Sequence, residues 1–327
     1  MANRTSFGGE WTRDLRTGRW WSVIKGWMLF AFVAIVTAGC GSGEEAAVAI
    51  PQIGAISTTT AAPTTTTPPK TEAPTTAPPA REASTTTTID NRTGTAAPSW
   101  LGTRQLDLQP GTDFGVVEPT PPELIDRQLW TVDLLPPPPG DAFVSSIEWP
   151  PPADVLIRST FQDGCPVRVD QLAYAQVAFF GFDGRFHTGE FIARADDAEV
   201  LVNVFEQLHA MRFPIEQMEV TSQEDVDAHP TGDGNNTSSF VCRRIVGSTS
   251  WSRHALGGAI DLNPFHNPYV KGDVVLPELA SSYLDRENIR PGMITDEVVA
   301  IFDEIGWGWG GEWRSIKDWM HFSDNGR

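Results

Sequence analysis

Residues 41–98 are dominated by Thr, Pro and Ala, with runs at Thr58 to Thr60, Thr64 to Thr67, Pro68–Pro69 and Thr85 to Thr88. Such a composition cannot bury enough apolar surface to offset the entropy of ordering it, so 40–98 is predicted to be a disordered tether. A coil of that length spans about 40–50 Å, and stretched in polyproline form nearly ~190 Å. Any core must come from the chain beyond the tether, roughly 170–220 residues, ample for one hydrophobic interior.

The segment before the tether reads as an address. Arg4, Arg13, Arg16, Arg19 and Lys25 lead into the apolar run Trp27-Met-Leu-Phe-Ala-Phe-Val-Ala-Ile-Val36. A positive stretch followed by an apolar run too short for an ordinary bilayer span is the pattern of an export signal, assigned to 1–39. Thr37-Ala-Gly-Cys40 resembles a bacterial lipoprotein cleavage box, with Cys40 as the lipidated residue. An uncleaved anchor and ordinary cleavage are the alternatives. Each of the three places the folded part outside the cytoplasm, in the cell envelope, and a lipid or anchor would hold it to the outer face of the plasma membrane.

The formal charge of −18 and pI near 4.6 exclude the basic footprint that nucleic-acid binding needs. They equally disfavour a domain lying flat on anionic lipid. Beyond Cys40 the cysteines are Cys165 and Cys242. These either pair in an oxidising compartment or lie as two buried thiols.

Residues 99–152 alternate short apolar pieces with Pro136 to Pro139 and Pro150 to Pro152. Proline interrupts helix and ladder alike, so the segment reads as an extended arm packed on the domain or as more linker. The compact domain is expected over 153–327. Asp183-Gly184 between two apolar runs predicts a hairpin. Asp196-Asp197 suits a helix N-cap, followed at helical spacing by Val200, Leu201, Val204, Phe205, Leu208 and Met211 and ended by Pro214. Residues 221–239 read as a solvated polar loop rather than a calcium loop. A second helix is expected from Thr295 to Gly306. The Trp307-Gly-Trp-Gly-Gly-Glu-Trp313 run offers indoles either to a core wall or to a substrate surface.

The chemistry is concentrated in two segments. Ser250-Trp-Ser-Arg-His-Ala-Leu-Gly-Gly-Ala-Ile-Asp261 carries His254 and Asp261, and Asp318-Trp-Met-His321 follows near the C-terminus. Two histidines and one carboxylate make a three-ligand zinc set with an open position for water. A further acid, Asp318, is spaced to act as a base on that water. His187, His209, His229 and His266 sit in no ligand motif and are read as non-ligands.

Ser252-Arg-His254-Ala-Leu-Gly257-Gly-Ala259-Ile-Asp261 resembles the Ser-x-His-x-x-Gly-x-Ala-x-Asp signature of the zinc D-Ala-D-Ala carboxypeptidase and L-alanyl-D-glutamate endopeptidase family, which includes VanX- and VanY-type enzymes. Asn267-Pro-Tyr269, Trp307 to Trp313 and Asp318-x-x-His321 resemble its endopeptidase-type branch, over roughly 160–324. The resemblance implies an α+β fold of hedgehog/DD-peptidase type, a small antiparallel sheet with helices around it. It implies zinc on His254, Asp261 and His321, with Asp318 as acid/base. Arg243 would steady the substrate carbonyl, although Arg244 follows it directly. Ser252 would support the site by hydrogen bonding, and Glu312 and Trp313 would line the pocket. The expected protein is a monomeric, exported zinc peptidase acting on peptidoglycan stem peptides, either carboxypeptidase or endopeptidase. The alternative is a non-catalytic wall-binding lipoprotein on the same fold.

Overall fold

The computed structural model describes residues 91–245 and 248–327, all within one compact unit. The export signal, Cys40 and the tether up to residue 90 lie outside the described residues.

The fold is α+β, built from helices and several small sheets rather than one. In chain order, strand β1 (Ser145–Glu148) and helix α1 (Ala153–Arg158) precede β2 (Leu172–Phe180) and β3 (Phe186–Arg194). The Asp183-Gly184 turn closes β2 on β3 in antiparallel register, Phe180 opposite Phe186, with β1 on the other edge of β2. Helix α2 (Ala195–Ala210) follows directly and lays Leu201, Val204, Phe205 and Leu208 on that sheet. Asp196 and Asp197 lie inside its first turn instead of capping it. The N-cap is Arg194, whose guanidinium pairs with Asp197 at 2.6 Å. Acids still suit that turn, because its unpaired N–H groups carry partial positive charge. The helix stops before Arg212, which takes a left-handed φ of 53°, and Met211 is exposed rather than on the apolar face.

Strand β4 (Gln217–Met218), helix α3 (Gln223–Asp227) and strand β5 (Asn236–Thr237) come next. The expected polar loop is therefore partly structured. Ser222 and Asp225 cap α3 reciprocally, Asp225 N–H donating to Ser222 Oγ at 3.1 Å and Ser222 N–H to Asp225 Oδ2 at 2.8 Å, a local signal readable as a capping box. Strands β4 and β5 pair in parallel. Asp233, Asn235, Thr237 and Ser239 are buried, their polar groups satisfied within the protein, so polarity alone misjudged their location.

Strands β6 (Ala259–Asp261), β7 (Tyr269–Lys271) and β8 (Val274–Leu276) lead to helix α4 (Asp296–Glu304), then β9 (Gly308–Trp309), β10 (Lys317–Asp318) and β11 (His321–Ser323). They form two three-stranded sheets, β6-β11-β9 and β10-β7-β8. Ile260, Phe322 and Phe302 join the α2 side chains in the main core, with the Phe302 and Phe322 rings stacked at 3.7 Å. Trp307 is part of that core and Trp309 packs against it.

The segment before β1 is packed. Leu106, Leu124 and Leu129 are buried with Phe265, Leu279 and Tyr283 in a second cluster. Thr93 N–H donates to Asp183 O at 3.0 Å and Thr95 N–H to Gln128 O at 2.9 Å, so these residues, read from the sequence as the end of the tether, are tied to the domain. A disulfide joins Cys165 to Cys242 beside a third cluster of Val155, Leu172, Tyr174 and Phe240.

Candidate metal centre

A short turn, a sheet edge and a ladder bring the donors together. Residues His254–Leu256 form one 3-10 turn, released into β6 by Gly257 at φ 65°. A Cβ on Gly257 would stand 2.5 Å from Arg194 N, so this turn needs glycine both for its hand and for room. Ser252 is buried and its Oγ receives the His254 N–H at 3.4 Å. Within the sheet, β6 and β11 place Asp261 directly opposite His321.

His254 Nδ1–H donates to Ser239 O at 2.6 Å. That bond orients the ring and turns Nε2 inward, as a backbone carbonyl behind a ligating histidine commonly does. His254 Nε2 lies 3.1 Å from His321 Nδ1 and 3.3 Å from Asp261 Oδ2, and His321 Nδ1 lies 3.0 Å from Asp261 Oδ1. Two imidazole nitrogens and a carboxylate this close require a proton or a cation between them. Tetrahedral zinc with bonds of about 2.0–2.1 Å separates its N and O ligands by about 3.3 Å, so the three side chains fit that ion. Burial alone would raise the Asp261 pKa, but the charge and hydrogen bonds of His254, then His321, outweigh it and hold the carboxyl far below the usual range. The site is thus set to keep an anion among imidazoles.

Asp318 is different. Its Oδ1 is buried without a hydrogen-bond partner, and its pKa is pushed up to about 7, by burial first and then by the Asp261 charge, against the opposing pull of His321 and Arg243. A cation bound at the three donors would pull it back down. The backbone of the 3-10 turn Gly310–Glu312 packs on it so closely that a Cβ on Gly310 would meet Asp318 O at 2.5 Å. Asp318 is the one acid here with a free oxygen and a proton affinity near neutrality, the property of a general base.

The arginine pair resolves. Arg243 is partly buried and its charge reaches Asp318, whereas the Arg244 guanidinium lies 3.6 Å over the Trp251 ring. Trp313 packs 5.5 Å from the His321 ring and donates its Nε1–H to Gly326 O. Glu312 is exposed and makes no side-chain hydrogen bond or ion pair among the described residues; it closes the 3-10 turn Gly310–Glu312. His187, His209 and His266 lie elsewhere: His187 bridges Asp133 and Asp183, and His266 bonds Arg127 O.

Two supports carried no sequence signal. The Ser239 carbonyl is backbone, invisible to side-chain pattern. Asp324 pairs with Arg253 and, at 2.7 Å, with Arg194, while its N–H donates to Gly258 O. It thereby ties the segment after His321 to the segment around His254.

An open three-donor metal set with a free carboxyl beside it is a hydrolytic arrangement. Residues 246–324 match the family model described as D-alanyl-D-alanine carboxypeptidase. The match spans His254, Asp261, Asp318 and His321 and supports the family read from the sequence motifs and, at a coarse level, a peptidase. No curated protein and no solved structure matches the chain.

Proposed function

We propose that this chain is an exported zinc metallopeptidase, of hedgehog/DD-peptidase fold, that hydrolyses peptide bonds in peptidoglycan stem peptides. The observation that carries the reading is the convergence of His254, Asp261 and His321 donors at 3.0–3.3 Å beside the unpartnered carboxyl of Asp318. Zinc, when bound, lowers the pKa of water to about 7 and polarises a carbonyl. Asp318 Oδ1, free of any hydrogen bond within the protein, accepts the proton of the attacking water and returns it to the departing amine. The Arg243 guanidinium faces the negative charge that develops on the carbonyl oxygen, a preorganised cation in a partly dry site. Ser239 and Asp324 hold the histidine-bearing segments in place.

Export rests on the basic-then-apolar N-terminus and Cys40, and a tethered exported amidase meets stem peptides as an abundant substrate in the envelope. The test is a digest of defined stem peptides by the zinc-loaded chain, read by mass spectrometry, beside Asp318→Asn. Loss of a terminal D-Ala identifies a carboxypeptidase, and cleavage between L-Ala and D-Glu an endopeptidase. Asp318→Asn is expected to retain metal and lose about 10²–10⁴ in rate. A metal-loaded wild type that leaves every peptide intact but binds them would replace the peptidase with the wall-binding reading.

A further inference from the structure

The chain has three tyrosines, and two are tied into the protein. Tyr174 O–H donates to Glu190 at 2.5 Å, and Tyr283 Oη receives the Arg127 N–H at 2.8 Å. The third, Tyr269, is partly buried, yet its hydroxyl has no hydrogen-bond partner among the described residues. The hydroxyl is not enclosed by the protein, so this half-covered phenol is open to solvent and available to a visitor.

Its position says which visitor. Tyr269 opens β7 and is the direct partner of Asp318 across the β7–β10 ladder. Directly opposed residues of antiparallel strands project from the same face, with Cβ atoms about 4.5–5.5 Å apart. The phenol and the free carboxyl therefore leave the sheet together. Burial first and the Asp318 charge second raise the Tyr269 pKa, so the two groups feel each other and the phenol keeps its proton at neutral pH. A protonated donor next to a base serves a substrate oxygen better than a metal.

We propose that Tyr269 is a substrate-touching catalytic residue whose O–H donates a hydrogen bond to the oxygen of the peptide carbonyl under attack, sharing that oxygen with Arg243. The inference rests on the peptidase reading above. No proton is transferred by Tyr269; it remains the donor throughout, and the bond strengthens as negative charge grows on the oxygen.

Tyr269→Phe removes one oxygen atom and no carbon. In the zinc-loaded full chain, kcat should fall about 10²-fold with KM little changed, because the lost bond is strongest in the transition state. Inhibition by a phosphinate analogue of the cleaved peptide should weaken by the same factor, with zinc content and thermal midpoint unchanged. A variant within twofold of wild type in kcat overturns the proposal, as does one that raises KM alone. Parallel loss of rate, zinc and thermal midpoint would make Tyr269 a packing residue and also overturn it. A wild type that neither cleaves nor binds the peptides sinks the peptidase reading and this inference with it; a cleaving wild type and an indifferent variant sink this inference alone.

Discussion

Arg127 sits in the proline-rich segment before Ala153, yet it is 2% exposed. Its Nε–H and Nη2–H donate to the two carboxylate oxygens of Glu216 at 2.8 and 2.6 Å, and its Nη1–H donates to Asp233 O at 2.7 Å. The guanidinium also lies 4.4 Å over the Phe265 ring. Arg127→Ala would leave the buried Glu216 carboxylate with Asn235 Nδ2, at 2.9 Å, as its remaining side-chain donor. Removing one partner of a buried pair costs about 3–5 kcal/mol, since the other charge stays buried uncompensated. For a folded unit of this size that lowers Tm by about 10 °C. Urea unfolding of wild type, Arg127→Ala and the double variant Arg127→Met/Glu216→Met would measure it. The double variant should regain most of the loss, because the fault of the single variant is the stranded charge rather than the missing attraction. The effect should reach the donor strand too: Glu216 N–H donates to Asn263 Oδ1 at 3.2 Å, two residues beyond Asp261. A single variant costing under about 1 kcal/mol, or a double variant no better than the single, would refute the reasoning.

Two further outcomes are expected from buried chemistry. His266 is enclosed, donating Nε2–H to Arg127 O at 2.9 Å and stacked on Phe182 at 4.8 Å, and burial, outweighing the nearby Glu216 charge, lowers its pKa to about 4. The unfolded chain binds this proton near pH 6.5 and the fold resists it, so the contribution is complete above about pH 6.5 and is lost as pH falls towards 4, by about 3 kcal/mol in all. His266→Gln should flatten the difference in urea midpoint between pH 8 and pH 5; an unchanged difference would show that His266 is not the group responsible. The Cys165–Cys242 bond closes a loop of 77 residues, for which chain entropy alone gives about 4.5 kcal/mol. Reduction, or Cys242→Ser, should lower the urea midpoint accordingly, and a midpoint insensitive to reductant would refute the bond's contribution.

Much of the local architecture was legible because its signals act over a few residues. The Asp183-Gly184 turn joins β2 and β3 in the expected hairpin. The apolar spacing from Leu201 to Leu208 buries one face of α2, and Gly306 at φ 78° follows α4 as a helix-ending glycine should. The two segments carrying His254, Asp261, Asp318 and His321 stood out by residue type and spacing. Sequence reading failed where polarity was taken as exposure. Residues 221–239 contain a capped helix and buried side chains, because Asn235 and Asp233 find partners inside the protein. It failed also at Asp196 and Asp197, where nothing local says that Arg194 begins the helix.

The residue types able to hold a cation and move a proton were determined by the sequence itself, as were the turn and helix periods that deliver them. Tertiary structure alone decided that donors from the 254–261 and 318–321 segments converge at 3.0–3.3 Å, that Arg243 rather than Arg244 reaches Asp318, and that the proline-rich segment supplies Arg127 to the interior. It also decided the proton affinity of Asp318. The physical reason is common to all four: backbone preference is set by near neighbours, whereas desolvation and charge pairing depend on which distant segments exclude water together.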